Sequence, residues 1–420
     1  MALGKILLIF VLTCGLWSIA TVYGAFSGWW LTPLAQKGNT AAFLDAAIKM
    51  GNQQSRGNIA LVLISNGVVY AEHYKPSIDD VDRDTAFPLA SMSKWVTAYG
   101  VMQLIQAGKL ELDSPVSRYL TRWNLPVGKF DPTGVTVRRL LSHTAGLTDE
   151  LGFGDYAPDE QIPSLVDSLH QPRSSSGTAS ISVGVEPGTQ WLYSGGGYLI
   201  LQLVIEEASG VGFAQWMQQA VFDPLGMSRA TYAYHGSRPN ASRSFDHIGN
   251  PVTSYQYAAA AATGLSASAA DLISFAQAQL RDQVQGTHAL SPENIRKMRQ
   301  PHGQIFGFDI WGLGTMLFAP TAGGHHIFGH DGANEPAINS ALRINPDNGD
   351  AIIVLVNGNP DLATAIAFEW TLWQTGVPDF LMLKRVMASA LVPWLVGLLF
   401  IAIMIGLYGV RQHHMQHTRV

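Results

Sequence analysis

The chain has 420 residues, of which 47% are hydrophobic and only 14% are charged, and its formal net charge is −5. This length allows one large or two ordinary domains, and the apolar content is ample for a buried core. The sparse, slightly acidic charge argues against a nucleic-acid partner, which requires clustered Lys and Arg. The single cysteine, Cys14, excludes an intramolecular disulfide.

An uninterrupted apolar run follows Lys5 and extends over residues 6–26. About 20 apolar residues are enough for a helix to cross a bilayer, so residues 1–30 are predicted to be a transmembrane anchor. A signal sequence is the alternative, because signal sequences are also apolar and N-terminal. The bulky Tyr23 before the small residues 24–25 makes a poor cleavage site and favours the anchor.

The body is predicted to begin with a helix and a β-hairpin. Asn39-Thr40 is a suitable helix start, and apolar residues recur at helical spacing after it. Residues 59–64 form a continuous apolar run typical of a buried strand, and residues 68–74 form a second strand. The Asn66-Gly67 pair between two such runs is the strongest short-range hairpin signal.

The next predicted helix carries Ser91 in its first turn and Lys94 three positions later. Residues at this spacing share one helix face, so the lysine amine can reach the serine hydroxyl. A serine becomes a good nucleophile when a neighbouring base takes its proton, and burial favours the neutral, basic form of an amine. A helix-capping serine beside a solvated lysine is the alternative, and this motif alone does not decide between the two.

The middle of the chain is predicted to be mostly helical. His143 ends a short helical segment, where it either pairs with Ser91 or bonds to the backbone locally. Residues 152–187 are irregular in composition and are predicted to form a long surface excursion. Ser268 and Asp271 form a capping-box pattern at the start of a later helix. The helices are predicted at residues 199–208, 213–221 and 269–280.

Strands return near the end of the body, at residues 325–330, 337–344 and 351–356, and a helix is predicted at residues 366–373. Strands therefore occur at both ends of the body, with helices between them. We expect one antiparallel sheet that is completed by the two ends of the body and flanked by helices, with an inserted all-helical region. This is an α/β fold of the α+β type.

A second long apolar stretch, residues 386–410, contains no charge and only one proline. Its length of about 25 residues predicts a transmembrane helix, which we place at residues 384–410. Arg411 and Arg419 follow it, and the positive-inside rule predicts a cytoplasmic tail at residues 411–420.

The two terminal spans together predict the location of the body. Lys5 and the C-terminal tail would lie on the cytoplasmic side, so the body, residues 36–376, would face the periplasm or the exterior. The expected location is the inner (cytoplasmic) membrane. The lipid bilayer is then a partner of both terminal helices, and no nucleic-acid partner is expected.

Three short segments occur in the order Ser91-Met92-Ser93-Lys94, Tyr193-Ser194-Gly195 and His330-Asp331-Gly332. Together they resemble the triple signature of the serine β-lactamase and penicillin-binding-protein superfamily. Over roughly residues 39–376 the body is most similar to the class C β-lactamase-related serine hydrolases. Supporting stretches are residues 140–147, 187–198, 222–227, 263–275 and 328–334.

This resemblance implies a β-lactamase/transpeptidase-like fold and roles for three catalytic residues. Ser91 would be the acylated nucleophile, and Lys94 its proton acceptor or electrostatic partner. Tyr193 matches the tyrosine that exchanges protons with the nucleophile and with the leaving group or the hydrolytic water. No metal and no organic cofactor is implied.

The same resemblance implies four substrate-binding residues. His330 stands where many relatives have lysine, and Gly332 would let a substrate lie close to its strand. The backbone N–H groups of Ser91 and Ala333 would form the oxyanion hole. Gly195 stands where the family usually has asparagine, and this departure affects substrate recognition more than acyl transfer.

The leading hypothesis is a membrane-tethered serine hydrolase that acts through an acyl-enzyme on an ester, D-amino-acid peptide or β-lactam carbonyl, with esters favoured. A penicillin-recognising sensor or scaffold without turnover is the alternative, and a structural membrane protein with coincidental motifs is the third hypothesis. A fluorophosphonate or fluorescent penicillin would label Ser91 in the first two. Only the first would release the label.

Overall fold

The computed structural model describes residues 2–149, 155–174, 177–178, 180–280 and 289–417. In these residues an antiparallel sheet carries helices on both faces, and a long apolar helix lies at each end of the chain. The α-helices are α1 (Ala2–Phe26), α2 (Thr40–Gln54), α3 (Ser93–Gln106), α4 (Val137–Leu141), α5 (Leu165–His170), α6 (Gly195–Ser209), α7 (Phe213–Met217), α8 (Asp223–Leu225), α9 (Ala260–Thr263), α10 (Ala269–Gln279), α11 (Pro292–Arg299), α12 (Leu362–Thr375) and α13 (Leu383–His417).

The strands are β1 (Ile59–Ser65), β2 (Val68–Lys75), β3 (Ala86–Pro88), β4 (Asp155–Tyr156), β5 (Arg173–Ser174), β6 (Gly177–Thr178), β7 (Ser244–Phe245), β8 (Pro251–Val252), β9 (Gln256–Tyr257), β10 (Ser266–Ser268), β11 (Gly303–Ile305), β12 (Phe308–Trp311), β13 (Met316–Pro320), β14 (His326–Asn334), β15 (Ile338–Asn345) and β16 (Asp350–Asn357). The main sheet has eight strands in the order β11-β12-β13-β14-β15-β16-β1-β2, and the remaining strands form short two-stranded pairs.

The two ends of the body meet within this sheet. Strand β1 pairs antiparallel with β16, with Leu61 opposite Val354. The predicted hairpin between β1 and β2 is confirmed, and both turn residues, Asn66 and Gly67, have positive φ, as its two-residue turn requires. The expected sheet, completed by the N- and C-terminal parts of the body, is therefore present.

The alternation of side chains along the strands gives the sheet two separate cores. Ala60 and Val62 point to the face covered by α3, α6 and α10, whereas Leu61 and Leu63 point to the face covered by α2 and α12. The first core is the larger one and contains the helical insertion. The active-site motifs lie where this insertion meets the sheet.

Three parts of the chain differ from the sequence-based expectation. Strands β11, β12 and β13 were not predicted, because they are short and carry no clear alternation. Helix α6 begins at Gly195, four residues before the predicted start at Leu199. The predicted excursion at residues 152–187 contains the helix α5, and its residues 152–154, 175–176 and 179 lie outside the described part.

Helices α1 and α13 are long and apolar enough to cross a membrane, by length and composition. They pack against each other as an antiparallel pair. The Trp17 indole N–H donates to the Trp394 carbonyl at 3.2 Å, and the Trp394 indole N–H donates to Ser18 Oγ at 2.9 Å. A side chain at Gly397 would overlap the Trp17 ring, so this glycine permits the close contact.

Candidate active site

Ser91 lies in a single 3₁₀ turn, Ala90–Met92, that leads directly into α3. The residue before it, Ala90, has a φ of +48°, a left-handed conformation that a non-glycine residue adopts only under constraint. Ser93 supplies part of that constraint: its hydroxyl donates to the Ala90 carbonyl at 2.6 Å and accepts from Leu265 N–H at 3.0 Å. The serine hydroxyl is thus presented by a fixed backbone.

Strand β14 holds the same turn from the other side. Ser340 Oγ on the neighbouring strand donates to the Leu89 carbonyl at 2.8 Å. A Cβ atom at Gly332 would lie 2.2 Å from that carbonyl oxygen and 2.6 Å from Ser340 Oγ. Gly332 therefore lets β14 lie directly against the nucleophile turn, and its predicted role toward substrate stays a prediction.

Lys94 is buried beside Ser91, with only 2% of its surface exposed. Its Nζ atom lies 3.3 Å from Ser91 Oγ and donates to the Ala262 carbonyl at 3.0 Å. The same atom lies 4.9 Å from the centroid of the Tyr193 ring. This geometry excludes the alternative of a solvated lysine. It places an amine next to the serine hydroxyl and the Tyr193 ring beside that amine.

His143 supports the tyrosine rather than the serine. Its ring packs against the Tyr193 ring in a tilted arrangement at 4.3 Å between centroids, and its Nδ1 accepts a hydrogen bond from Ser194 N–H at 3.1 Å. Because Nδ1 is an acceptor, the proton of the neutral ring is on Nε2. Burial and the nearby Lys94 charge hold the pKa of His143 well below its usual value. The local backbone interaction, one of the two options left open by the sequence, is therefore present.

Asp149 fixes the segment that follows Tyr193 and was missed by the sequence analysis. Its carboxylate accepts from Ser194 Oγ and from Gly196 N–H, both at 2.6 Å, and Ser194 Oγ accepts in turn from Gly197 N–H at 2.8 Å. These bonds satisfy donors at the N-terminus of α6. A Cβ at Gly196 would lie 2.6 Å from the carboxylate, so this contact requires glycine. Burial raises the pKa of Asp149.

His330 lies on β14 and is fully enclosed at the site. Its Nδ1 faces the Asp331 carbonyl oxygen at 2.5 Å, an atom that can only accept, so Nδ1 carries the proton. Burial, assisted by the Lys94 charge, lowers the pKa of His330 to about 3. The residue in the position of the family's lysine is thus a neutral imidazole at ordinary pH.

Trp311 forms a wall of the site and was also missed. Its ring lies 4.7 Å from the His143 ring, 5.5 Å from the Tyr193 ring and 5.4 Å from the His330 ring, between centroids. Its indole N–H donates to the Leu141 carbonyl at 3.2 Å. No sequence signal marked this residue, because its strand, β12, was not predicted.

A buried ion cluster holds β14 from behind. The Arg343 side chain is fully buried and pairs with Asp331 and, at 2.9 Å, with Asp379. Thr371 Oγ1 accepts another of its hydrogen bonds at 3.0 Å. Burial raises the pKa of Asp379 to about 6. Arg343 therefore connects the strand of the His330-Asp331-Gly332 motif to the segment just before α13.

The sequence profile of the beta-lactamase family matches residues 41–370 of this chain. The chain belongs to the beta-lactamase family. Among its relatives, penicillin-binding protein 4 of Amycolatopsis lactamdurans is 30% identical over 300 residues, which cover 66% of this chain and 74% of that protein. Esterase EstB of Burkholderia gladioli is 29% identical over 239 residues, which cover 50% of this chain and 59% of the esterase.

Solved structures agree with this assignment at the level of the fold. The octameric penicillin-binding protein homologue from Pyrococcus abyssi has a TM-score of 0.62 at 20% identity and covers 80% of this chain and 78% of its own. The predicted β-lactamase/transpeptidase-like fold is confirmed. The beta-lactamase family relationship also confirms that the chain is a serine hydrolase.

The structure brings most of the predicted site residues of this beta-lactamase family member together. Ser91, Lys94 and Tyr193 are linked by the contacts above, and His330 joins them through Trp311. The remaining three occupy key backbone positions: Gly195 is the first residue of α6, and Gly332 and Ala333 are adjacent on β14. Their individual catalytic and binding roles stay predictions.

The neutral state of His330 leads to a prediction about stability. In the unfolded chain a histidine has a pKa near 6.5, whereas that of folded His330 is about 3, so the unfolded state binds more protons between these values. The free energy of unfolding should therefore fall as the pH decreases below 6.5. At about pH 5 the protonation of this residue alone should lower it by about 2 kcal/mol.

Denaturant unfolding of the detergent-solubilised protein tests this expectation. From pH 7 to about pH 5 the wild type should lose about 2 kcal/mol more stability than His330→Gln, which has no titrating group at this position. An equal loss in both proteins would contradict the assigned neutral imidazole.

Proposed function

We propose that the chain is a membrane-tethered serine hydrolase that forms an acyl-enzyme on Ser91. The observation that carries this proposal is the 3.3 Å contact between Ser91 Oγ and the buried Lys94 amine. Lys94 takes the serine proton as Oγ attacks the carbonyl carbon of the substrate. The N–H groups of Ser91 and Ala333 stabilise the negative oxygen of the tetrahedral intermediate.

Tyr193 completes the proton transfers of the proposed reaction. It passes a proton to the leaving group as the bond between the carbonyl carbon and that group breaks, and it regains a proton from Lys94, which holds the one taken from Ser91. A water molecule then gives up a proton through the same phenol to Lys94 and attacks the acyl carbon. The bond from that carbon to Ser91 Oγ breaks, Oγ takes the proton back from Lys94, and the acid is released. The packing of Tyr193 against the neutral, buried His143 supports this role, because it holds the ring of the phenol in place without adding a charge.

Two features of the site support ester substrates. Gly195 has no side chain that could donate to the amide oxygen of a penicillin, a cephalosporin or a D-amino-acid peptide. His330 is neutral, so it lacks the positive charge with which a lysine would attract a substrate carboxylate. Simple esters need neither interaction. The similarity to an esterase over half of the chain is consistent with this preference.

The Gly195→Asn variant tests the ester preference. An added asparagine supplies a hydrogen bond worth about 0.5 to 1.5 kcal/mol to an amide-bearing substrate and little to an ester. We therefore expect the ratio of kcat/KM for nitrocefin to that for p-nitrophenyl butyrate to rise by roughly 2- to 12-fold. The preference is wrong if the wild type hydrolyses nitrocefin faster than the ester, or if the variant leaves the ratio unchanged.

The membrane tether is proposed from α1 and α13. Both helices expose large apolar side chains along their length, and they pack as one antiparallel pair. Such surfaces are stable when lipid surrounds them. The body would then lie outside the cytoplasmic membrane, on the side opposite to Lys5 and Arg411.

A further inference from the structure

An apolar hairpin lies at the edge of the main sheet, and its tip has no role in the proposed catalysis. The tip joins β11 to β12 and consists of Ile305, Phe306, Gly307 and Phe308. Phe306 and Gly307 have φ values of +52° and +82° and form the turn. The Phe306 side chain is 90% exposed, and Ile305 and Phe308 are partly exposed beside it. An aromatic tip of this kind is costly to leave in water.

The base of this hairpin tip contacts both terminal helices at the point where they leave the body. The Phe308 ring stacks on the Phe26 ring at 5.5 Å between centroids and lies 4.4 Å from the Phe380 ring. Phe26 is the last residue of α1, and Phe380 precedes the first residue of α13 by three positions. The tip therefore lies at the junction of the body and the two apolar helices.

We propose that the hairpin tip, residues 305–308, inserts into the outer interfacial layer of the lipid bilayer as a third membrane contact. This inference rests on the proposed membrane tether through α1 and α13. Phe306 is two residues from Phe308, a distance of at most about 7 Å along a strand. Its ring is therefore within reach of the level at which both helices enter the bilayer.

Other residues at the junction support the position of the hairpin tip in the interfacial layer. Trp29 lies three residues after the end of α1 and is 61% exposed, and it packs edge-to-face on Tyr23 at 5.4 Å between centroids. Exposed tryptophan and tyrosine rings are typical of the boundary between lipid and water. Aromatic rings of the hairpin tip and of the end of α1 therefore lie at the same junction.

The insertion would set the height of the catalytic centre above the membrane. Strand β12 runs from Phe308 at the junction to Trp311, three residues away or about 10 Å. Trp311 contacts Tyr193 and His330 in the active site. A hairpin held in the lipid would thus support one wall of the site as well as the body.

Site-directed fluorescence in vesicles tests this inference with the full-length protein. Cys14→Ser removes the native thiol, and single cysteines are then introduced by Phe306→Cys, Leu16→Cys and Val127→Cys and labelled with NBD. Leu16 is exposed on α1 and reports whether this helix lies in the bilayer. Val127 is 97% exposed in a loop of the body, where its neighbour Gly128 lies near Val183, and it is the control position. Vesicles of phosphatidylcholine and phosphatidylglycerol carry bromine either near the headgroup or deep in the acyl chain.

We expect the Phe306 probe to lose fluorescence with headgroup-proximal bromine, the Leu16 probe with deep bromine, and the Val127 probe with neither. Hydrolysis of a soluble ester by each labelled protein shows that the body is folded. Quenching at Leu16 without quenching at Phe306 would overturn the inference and leave the tether intact. No quenching at Leu16 would refute both. A Phe306 signal that depends on protein concentration and not on bromine would instead indicate contact with a second copy.

Discussion

Replacement of Lys94 by methionine is expected to lower kcat/KM for an activated ester by at least about three orders of magnitude, and Ser91→Ala is expected to abolish turnover. The physical reason is the short contact between the two groups: without the amine nothing basic lies within hydrogen-bond distance of the serine hydroxyl among the described contacts. A nucleophile and its base act as a unit, so either loss removes most of the rate acceleration.

The matched control for this experiment is Lys109→Met, which removes an exposed lysine from the end of the same helical region. That variant should retain the wild-type rate. Methionine at position 94 keeps most of the buried volume, and so a loss of activity is not caused by a cavity. A rate near that of the wild type in either Lys94→Met or Ser91→Ala would refute the assigned nucleophile and base.

Replacement of Tyr193 by phenylalanine is expected to lower kcat by about two to four orders of magnitude, because the phenol is the proposed proton carrier to the leaving group and from the water. The ring itself, and with it the packing against His143, is retained in this variant. The thermal stability should therefore change little. A steady-state assay combined with a melting curve separates the two effects.

His143→Ala is the comparison for the tyrosine variant. It leaves the phenol in place but removes the ring that supports it and the acceptor for Ser194 N–H. Its main expected effect is a loss of stability of about 1 to 3 kcal/mol. The opposite ranking, with the larger kinetic loss in His143→Ala, would favour a Ser-His mechanism over the proposed Ser-Lys-Tyr arrangement.

The elements that could be predicted from the sequence are those with strong local signals. The hairpin at Asn66-Gly67 is specified by its turn residues, and the i, i+3 spacing of Ser91 and Lys94 places both side chains on one face before any tertiary contact is known. The capping box of Ser268 and Asp271 is likewise local, and the structure contains both of its hydrogen bonds. At these positions the local sequence is sufficient to predict the structure.

The features that could not be predicted depend on residues far apart in the chain. Helix α6 begins at Gly195 because the Asp149 carboxylate, more than forty residues earlier, accepts from the Gly196 N–H and the Ser194 hydroxyl, contacts that override the poor helix propensity of glycine. Arg343 is an unusual cation inside a buried strand, but its two partners are brought to it only by the fold. Trp311 could not be predicted as a site residue either, because its strand, β12, carries no periodic pattern.

The most direct test of the central claim is intact-mass detection of an acyl adduct on Ser91. The protein is mixed with a small panel of p-nitrophenyl esters, D-amino-acid amides and β-lactams, quenched in acid within the first turnovers and measured beside Ser91→Ala. The proposed function predicts an added mass equal to the acyl group, localised to the peptide that contains Ser91, most abundant with the esters and absent from the variant. Turnover of the same esters without an adduct at Ser91, or an equal adduct in Ser91→Ala, would contradict it.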